Sequence, residues 1–293
     1  MRRGPFIGGA LGVAAAAMAP VRLGAQSLED RIDDILARGS GTFGVFARTM
    51  APGPALYAVN AYESFPCAST IKVLVMTTAF YADERKPGVL AERIRFDRSQ
   101  LIGGSDDMQN VPDGTSLTVG DLIRPMIMVS DNTAANMLIE HFGVDFINEV
   151  GGEAGMLNTR LARPFIDVPW RVQDEPNVTT AYDMGTLLYQ IEYGAREAAK
   201  TIVTPAHCRR MIALMLHQQD RDKIPAGLPG VPVADKDGEI DGSRNDAGIV
   251  EPFGDSPFIL SIYTKNVDDY DGCLETIRSI ARATYESVAG SDM

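Results

Sequence analysis

The 293-residue sequence is poor in cysteine, histidine and tryptophan, with three cysteines, three histidines and one tryptophan. Its cysteines, Cys67, Cys208 and Cys273, allow at most one disulfide and have no metal-ligand spacing. The histidines form no metalloprotease pattern. The composition therefore predicts neither a metal site nor a cofactor, and buried packing is the expected role of Cys67.

Long apolar runs are also missing beyond the N-terminus, where nothing approaches the ~20 residues that span a membrane. Residues 1–25 differ, because Arg2 and Arg3 precede an apolar stretch and small residues that end at Ala25. This is the plan of a signal peptide, and the arginine pair fits a general or a twin-arginine export signal. We expect an exported protein, periplasmic or secreted, with no stable membrane span after signal removal.

Basic residues are scarce relative to acidic ones, 27 against 39, which gives a formal charge of −12. Removal of residues 1–25 takes away three arginines and no acidic residue, so the charge becomes −15. A chain this acidic repels nucleic acid phosphates, so a nucleic acid partner is not expected. A small molecule is the expected partner.

Hydrophobic periodicity predicts a β-rich, then all-helical, then β-rich order of elements. Residues 158–178 contain three prolines and predict a long functional loop. We expect an α/β (α+β) fold in which an antiparallel sheet flanked by helices, 26–62 and 212–293, carries an inserted helical lobe, 63–211, with the site in the cleft between them. The predicted helices are 27–39, 69–84, 118–130, 131–143, 179–194 and 269–288, and the strands are 41–49, 55–61 and segments within 230–238, 246–252 and 257–266.

Ser69 and Lys72 lie three residues apart at the start of an apolar helix, in FPCASTIK, and therefore share one face of it. A serine hydroxyl needs a base within hydrogen-bond reach to act as a nucleophile. A buried lysine that is partly neutral can serve as that base. Taken alone, the pair is better explained as a helix cap and a solvated lysine.

Two further segments have equally ordinary explanations when taken singly. SDN, at 130–132, comes just before an apolar helix and would cap it. KDG, at 236–238, falls on a predicted strand and would be a charged hairpin edge. The three segments occur in this order, at a helix start, a loop before a helix and a strand, and together they indicate a catalytic site.

The sequence resembles the class A β-lactamases, within the penicillin-recognising serine hydrolases, from about residue 28 to residue 288. FPCASTIK, DGTSLTVGDLI, VSDNTAANMLI and ADKDG carry the resemblance. It implies that Ser69 is the acylated nucleophile and that Lys72 accepts its proton. Ser130 would pass a proton to the leaving nitrogen, and Asn132 would hold the substrate amide and Lys72.

The same resemblance implies a substrate-binding edge at the predicted hairpin. Lys236 would support Ser130 electrostatically and attract a substrate carboxylate, which Arg244 would also reach. The backbone N–H groups of Ser69 and Glu239 would form the oxyanion hole. Asp237 and Gly238 complete the K-D-G motif and would contact substrate.

One departure concerns the glutamate that holds the deacylating water in the E-x-x-L-N motif of this family. The sequence has no such motif, and the place of the glutamate falls near Pro164 or Phe165. Asp167 is the nearest carboxylate and a candidate substitute, although it is one methylene shorter than glutamate. Alternatively, Asp167 and Glu175 form loop salt bridges with arginines such as Arg160.

The second departure is Asp237, which replaces the usual threonine or serine. Pointing inward, it would repel a substrate carboxylate ~5 Å away by about 3 kcal/mol at an effective dielectric of ~20. In the alternative, it pairs with Lys236 or Arg244 and points away. The resemblance implies a serine hydrolase that hydrolyses β-lactams, and the two departures predict that the hydrolysis is of low efficiency. The alternatives are an esterase, amidase or D,D-peptidase-like hydrolase on another substrate, and a penicillin-binding sensor that is acylated without turnover.

Overall fold

The computed structural model describes residue 1, residues 26–165 and residues 175–290. Strands and helices are each numbered in chain order. The strands are β1 (Thr42–Thr49), β2 (Tyr57–Val59), β3 (Phe65–Pro66), β4 (Arg93–Arg95), β5 (Ser116–Thr118), β6 (Val178–Thr179), β7 (Val233–Ile240), β8 (Ser243–Val250) and β9 (Phe258–Lys265). The helices are α1 (Leu28–Leu36), α2 (Lys72–Arg85), α3 (Val119–Met128), α4 (Asn132–Phe142), α5 (Val144–Glu153), α6 (Ala181–Arg196), α7 (Pro205–Met215), α8 (Ile224–Gly227) and α9 (Tyr270–Gly290).

A five-stranded antiparallel sheet joins the two ends of the chain in the order β2-β1-β9-β8-β7. β1 pairs with β9 along its whole length, from Thr42 opposite Lys265 to Thr49 opposite Phe258. The predicted fold class, an antiparallel sheet flanked by helices, is confirmed. β7 is an edge strand of this sheet, and that edge borders the site described below.

Helix α2 is the centre of the helical lobe, and residues 72–81 of it are all buried. Such a helix needs apolar residues on every side, which explains why its sequence has no polar stripe. Its predicted start at Ser69 is refined by the structure. A 3₁₀ turn, Ala68–Ile71, precedes the α-helix, so Ser69 lies in the turn and Lys72 begins α2.

The other face of the sheet is covered by α1 and α9, which pack against each other. The side chain of Ser27 caps α1 by accepting a hydrogen bond from the backbone N–H of Asp30, as its position in the sequence predicts. Arg31 and Glu286 form an ion pair between the two helices. This layer keeps the face of the sheet opposite the helical lobe away from water.

The helical lobe and the sheet share one apolar core, which includes Phe46 and Ile259 of the sheet together with Leu74 and Leu188 of the helices. The predicted lobe boundary between residues 211 and 212 falls inside α7. Because α7 packs on α6, it continues the helical lobe up to Met215.

Three further expectations concern burial and membranes. Cys67, Cys208 and Cys273 are all free and buried, which agrees with the packing role expected for Cys67. In the part of the chain that the structure describes, no helix is both long and apolar enough to cross a membrane. The signal peptide predicted at residues 1–25 falls on residues that, after Met1, lie outside the described part.

Candidate active site

Buried hydrogen bonds stabilise the turn that carries Ser69. The hydroxyl of Tyr263, on β9, donates to Thr70 Oγ1 at 2.7 Å, and Thr70 Oγ1 donates to the Cys67 carbonyl at 2.7 Å. Ala68, just before the serine, has a φ of +46°, which is unfavourable for a residue with a Cβ. Strain of this kind is typical of functional sites, where the surrounding packing maintains it.

Lys72 lies at the centre of the predicted catalytic residues. Its Nζ is 3.0 Å from Ser69 Oγ, 3.1 Å from Ser130 Oγ and 2.7 Å from Asn132 Oδ1. It also donates to the Ser130 carbonyl at 2.5 Å. The structure therefore brings together Ser69, Lys72, Ser130 and Asn132, although they are up to 63 positions apart in the sequence.

Burial lowers the pKa of Lys72 well below its ordinary value, since the charged ammonium loses its hydration. The positive charge of Lys236 acts in the same direction, whereas Asp237 and Asp131 oppose the shift. A neutral amine has two donors and one lone pair. The donors can bond to the Ser130 carbonyl and to Asn132 Oδ1, which leaves the lone pair for the Ser69 hydroxyl.

The loop from Ser130 to Asn132 is fixed by Asp131, which is fully buried. Its Oδ1 accepts from the backbone N–H of Ala134 at 2.9 Å and caps α4. Its Oδ2 accepts from the N–H of Met108 at 2.9 Å, which ties the cap to a neighbouring loop. Ser130 has a φ of +58°. The capping role predicted for SDN and the catalytic role thus belong to different residues of one motif.

β7 passes directly beside the nucleophile, and Gly238 makes this possible. A Cβ at residue 238 would be 2.8 Å from the Ser69 backbone nitrogen and 3.0 Å from that of Thr70. Only glycine allows so close an approach. The next residue, Glu239, is in register with Arg244 on β8. This approach puts β7 where the resemblance expects the second oxyanion-hole N–H.

Asp237 is buried and paired on β7. Its Oδ1 lies 2.6 Å from Lys236 Nζ and accepts from Gln218 Nε2 at 2.7 Å, while its Oδ2 is 3.5 Å from Lys223 Nζ. Burial alone would raise the pKa of Asp237, but the charges of Lys236 and Lys223 hold it at about 2. The alternative in which Asp237 pairs with Lys236 therefore agrees with the structure, and Asp237 neutralises the cation expected to attract a substrate carboxylate.

Lys223 is a buried cation surrounded by carboxylates. Its Nζ is 2.7 Å from both Asp222 Oδ1 and Glu239 Oε1, 3.6 Å from Asp220 Oδ2 and 3.5 Å from Asp237 Oδ2. One oxygen each from Asp220, Asp237 and Glu239 lie within 4.8 Å of one another, a spacing compatible with a metal ion. Because the ammonium of Lys223 already contacts all three carboxylates, they serve as ion-pair partners of Lys223 and not as metal ligands.

Arg244 is engaged by its own hairpin. Its NH1 donates to the carbonyls of Ile240 and Ser243 at 2.9 and 2.8 Å. The guanidinium lies 3.8 Å from the centre of the Tyr270 ring, and its Nε is 3.6 Å from Glu239. Arg244 therefore pairs with Glu239 rather than with Asp237, and its predicted contact with a substrate carboxylate requires it to leave these partners.

Phe165 stands where the sequence places the missing glutamate. Its ring centre is 4.5 Å from Lys72 Nζ. Asn136, on α4, fixes the Phe165 backbone by donating to its carbonyl at 2.9 Å and accepting from its N–H at 2.8 Å. Within the described residues, Lys72 forms no hydrogen bond or ion pair with a carboxylate.

Among the alternative carboxylates, Glu175 is ion-paired with Arg160 at 2.9 Å, as the salt-bridge alternative predicted. Asp167 lies outside the described residues, so its role stays a prediction. Asn177 holds the loop at Arg163, because its Oδ1 accepts from the Arg163 N–H at 3.0 Å and its Nδ2 donates to the Arg163 carbonyl at 2.9 Å.

The amine of the buried Lys72 contacts Ser69, and the side chains of Ser130 and Asn132 contact the same amine. The resemblance implies this arrangement. A model of the Beta-lactamase enzyme family matches residues 27–288. The chain belongs to this family. It is a class A β-lactamase-like serine hydrolase, which confirms the predicted family.

Relatives of known activity are distant but cover most of the chain. A β-lactamase of Streptomyces fradiae is 29% identical over 274 residues, which is 88% of this chain and 86% of that one. The carbapenem-hydrolyzing β-lactamase KPC of Klebsiella oxytoca is 26% identical over 246 residues, 78% of each chain.

Two solved structures are instructive. The β-lactamase of Sphaerobacter thermophilus has a TM-score of 0.79 at 26% identity and covers 90% of this chain and 97% of its own. A point mutant of PBP-A, in an acyl-enzyme complex with penicillin G, has a TM-score of 0.77 at 26% identity and covers 91% and 97%.

Sequence reasoning missed Gln218, Asp220 and Lys223, which contact the substrate-side residues of β7. They lie in the acidic and basic segment HQQDRDKIP before β7, a composition that is ordinary for a solvated loop. Only the buried state of Lys223 reveals its role. By contrast, the place of the missing glutamate was predicted to fall near Pro164 or Phe165, because TRL, at 159–161, matches the loop entry of the family.

Proposed function

We propose that this protein is acylated by β-lactams on Ser69 and hydrolyses the acyl-enzyme slowly. The observation that carries the proposal is the contact of 3.0 Å between Ser69 Oγ and the buried Lys72 Nζ. Neutral Lys72 takes the Ser69 proton as Oγ attacks the lactam carbonyl. The oxyanion that forms is held by the N–H groups of Ser69 and Glu239.

Ser130 completes acylation. Its Oγ is 3.1 Å from Lys72 Nζ, so it can receive a proton from Lys72 and donate its own to the lactam nitrogen as the C–N bond breaks. Asn132 bonds to Lys72 through Oδ1, and its Nδ2 donates to the Gly103 carbonyl at 2.9 Å. Asn132 is thus fixed in one orientation beside the reacting centre.

The proposal of slow deacylation rests on Phe165, while Asp167 stays the candidate for a substitute base. A general base must lie within ~3 Å of the water that it activates, and an aromatic ring against Lys72 offers no such base. This feature also favours a second candidate, a penicillin-binding protein that is acylated without turnover. The resemblance to a PBP-A mutant solved as its acyl-enzyme with penicillin G supports the same candidate.

The decisive experiment follows the intact mass of the protein after mixing with a chromogenic cephalosporin. We expect an adduct that forms, remains the main species during turnover and decays slowly while colour develops, and that is absent in Ser69→Ala. Colour without an accumulated adduct would contradict slow deacylation. An adduct that never decays would favour the second candidate, and an adduct on Ser69→Ala would exclude Ser69 as the nucleophile.

We further propose that the protein acts outside the cytoplasm, on the basis of the signal peptide plan of residues 1–25. The intact mass of protein recovered from a periplasmic or secreted fraction tests this. A mass that corresponds to a chain beginning at Gln26 supports export, and retention of Met1 in the cytoplasmic fraction alone contradicts it.

A further inference from the structure

The edge of the site beside Ser69 has its own charge pattern. Gly238 packs against the Ser69 amide, and Asp237 and Glu239 are its two neighbours in β7. In a penicillin, the lactam nitrogen is the leaving group of acylation. The carbon bonded to this nitrogen carries the carboxylate. A charge on the leaving group of a substrate therefore faces the edge where Lys236 was expected to bind it.

The cationic side chains of this edge are mostly buried, and each of them already has a partner. The side chains of Lys236 and Lys223 are 0% and 1% exposed, and both are paired with Asp237. Arg244 is 16% exposed and bonded to its own hairpin. None of the three offers a free positive charge at the surface of the edge.

Three carboxylates of the same edge, Asp220, Asp222 and Glu239, are exposed, whereas Asp237 is buried. The side chains of Asp220 and Glu239 are 45% and 39% exposed, and their oxygens lie within 4.8 Å of each other and of Asp237. Four carboxylates and three cations give the edge a formal charge of −1: Asp220, Asp222, Asp237 and Glu239 against Lys223, Lys236 and Arg244. A ligand approaching from solvent meets the carboxylates first.

We propose that this edge selects acyl substrates whose leaving group carries an ammonium over those whose leaving group carries a carboxylate. The inference rests on the proposed acylation of Ser69 and adds the class of substrate. Its physical basis is Coulombic attraction to Asp220 and Glu239 at the mouth of the site, together with the neutralisation of Lys236 by Asp237.

Three thioesters of phenylacetic acid test the proposal, with thiocholine, mercaptoethanol and thioglycolate as cationic, neutral and anionic leaving groups. In each, Ser69 Oγ bonds to the acyl carbon, the carbon–sulfur bond breaks, and the Ser69 proton passes through Lys72 and Ser130 to the thiolate. All three give the same phenylacetyl-enzyme, so their deacylation is identical. Differences in acylation rate between the three esters therefore report only how the thiol group is recognised and how readily it leaves.

The measurement is the second-order rate constant of acylation, from thiol release and from growth of the adduct mass. Each rate is divided by that of the same thioester with imidazole, which corrects for the reactivity of the thiol. At low ionic strength we expect the thiocholine ester to acylate at least about tenfold faster than the thioglycolate ester, and the ratio to shrink at high salt.

The double variant Asp220→Asn/Glu239→Gln removes two of the three exposed carboxylates, leaves Asp222 in place and should lower the ratio toward one. Glu63→Gln/Glu286→Gln changes the net charge equally at two exposed ion pairs elsewhere and should leave the ratio unchanged. Acylation by all three esters with no cationic preference, or with equal effects of both double variants, would overturn the inference and leave acylation of Ser69 standing. No acylation by any ester would overturn the proposed function and the inference together.

Discussion

Phe165 is the residue on which the proposed slow deacylation rests. Its ring lies against Lys72, and Asn136 holds its backbone on both sides. The backbone is thus fixed by hydrogen bonds that do not depend on the side chain at residue 165. A different side chain there can reach the same position without rebuilding the loop.

Phe165→Glu is therefore expected to shorten the lifetime of the penicillin acyl-enzyme, by ~100-fold, because a carboxylate beside Lys72 can hold and activate water. The measurement is the decay of the adduct mass after excess penicillin is removed. Phe165→Gln has the same size without a base and serves as the control. Equal acceleration by both variants would mean that loss of the ring, and not a base, limits deacylation.

Asp237 determines whether Lys236 is available to a substrate carboxylate. Asp237→Thr removes the negative charge, so we expect acylation by benzylpenicillin at low concentration to be faster by roughly 10- to 100-fold. Asp237→Asn keeps the shape and should give a similar gain if charge is the cause. The readout is the second-order rate constant of adduct formation, and an unchanged constant in both variants would contradict the prediction.

Asp220 gives the cationic preference a pH dependence. Burial and the charge of Asp237 raise the pKa of Asp220 to about 6, although Lys223 opposes the shift and Asp222 adds to it. Below that pH the carboxyl is protonated and neutral, and above it is negative. The thiocholine-to-thioglycolate ratio should rise between pH 5 and pH 7, and Asp220→Asn should flatten this rise. A rise that survives in the variant would assign it to another group.

At the scale of single elements, helix α4 depends on Asp131. Asp131→Ala removes the cap of α4 and the bond to Met108, and leaves buried N–H groups without partners. We expect a loss of roughly 2–4 kcal/mol in the free energy of unfolding, from urea denaturation followed by circular dichroism. Glu149→Ala, at an exposed position of α5, should change it by less than ~0.5 kcal/mol. A loss below ~1 kcal/mol in Asp131→Ala would contradict this role.

Several elements with local signals were predicted, whereas helices α5 and α7 and the elements that depend on distant partners were not. The helix predicted over 131–143 is α4, because Asp131 begins it and Gly143, with a φ of +82°, ends it. The two-residue strands β3 and β6 were not predicted, since only their pairing with each other, Phe65 opposite Thr179, makes them strands. Lys223 was missed for the same reason: its partners on β7 are brought to it by the fold.

At the scale of the whole molecule, the sheet separates two apolar cores, and buried acids lie within it. Asp246, on β8, is fully buried, and its Oδ1 has no hydrogen-bond partner among the described residues. Burial raises the pKa of Asp246 to about 7, and burial together with Asp246 raises that of Asp235. The folded protein therefore binds protons more tightly here than the unfolded chain does.

Because the pKa of Asp246 is raised in the folded state, the contribution of this group to stability is fully present below the unfolded pKa of ~4 and is lost as the pH rises through about 7. Asp246→Asn stays neutral, so at pH 8 it should unfold with a free energy higher by roughly 2 kcal/mol than the parent. This difference should vanish near pH 4. Asp255→Asn, at an exposed position, is the control, and a difference independent of pH would contradict the argument.

The close approach of Gly238 to the Ser69 amide also bears on how this protein can evolve. A side chain at residue 238 would displace the nucleophile, so selection for new substrates cannot pass through that position. At the neighbouring Asp237, no single-nucleotide change turns an aspartate codon into one for threonine or serine. Asparagine is reachable in one step and removes the charge. A mutational path to threonine or serine at residue 237 therefore passes first through the amide of asparagine, and gains its hydroxyl later.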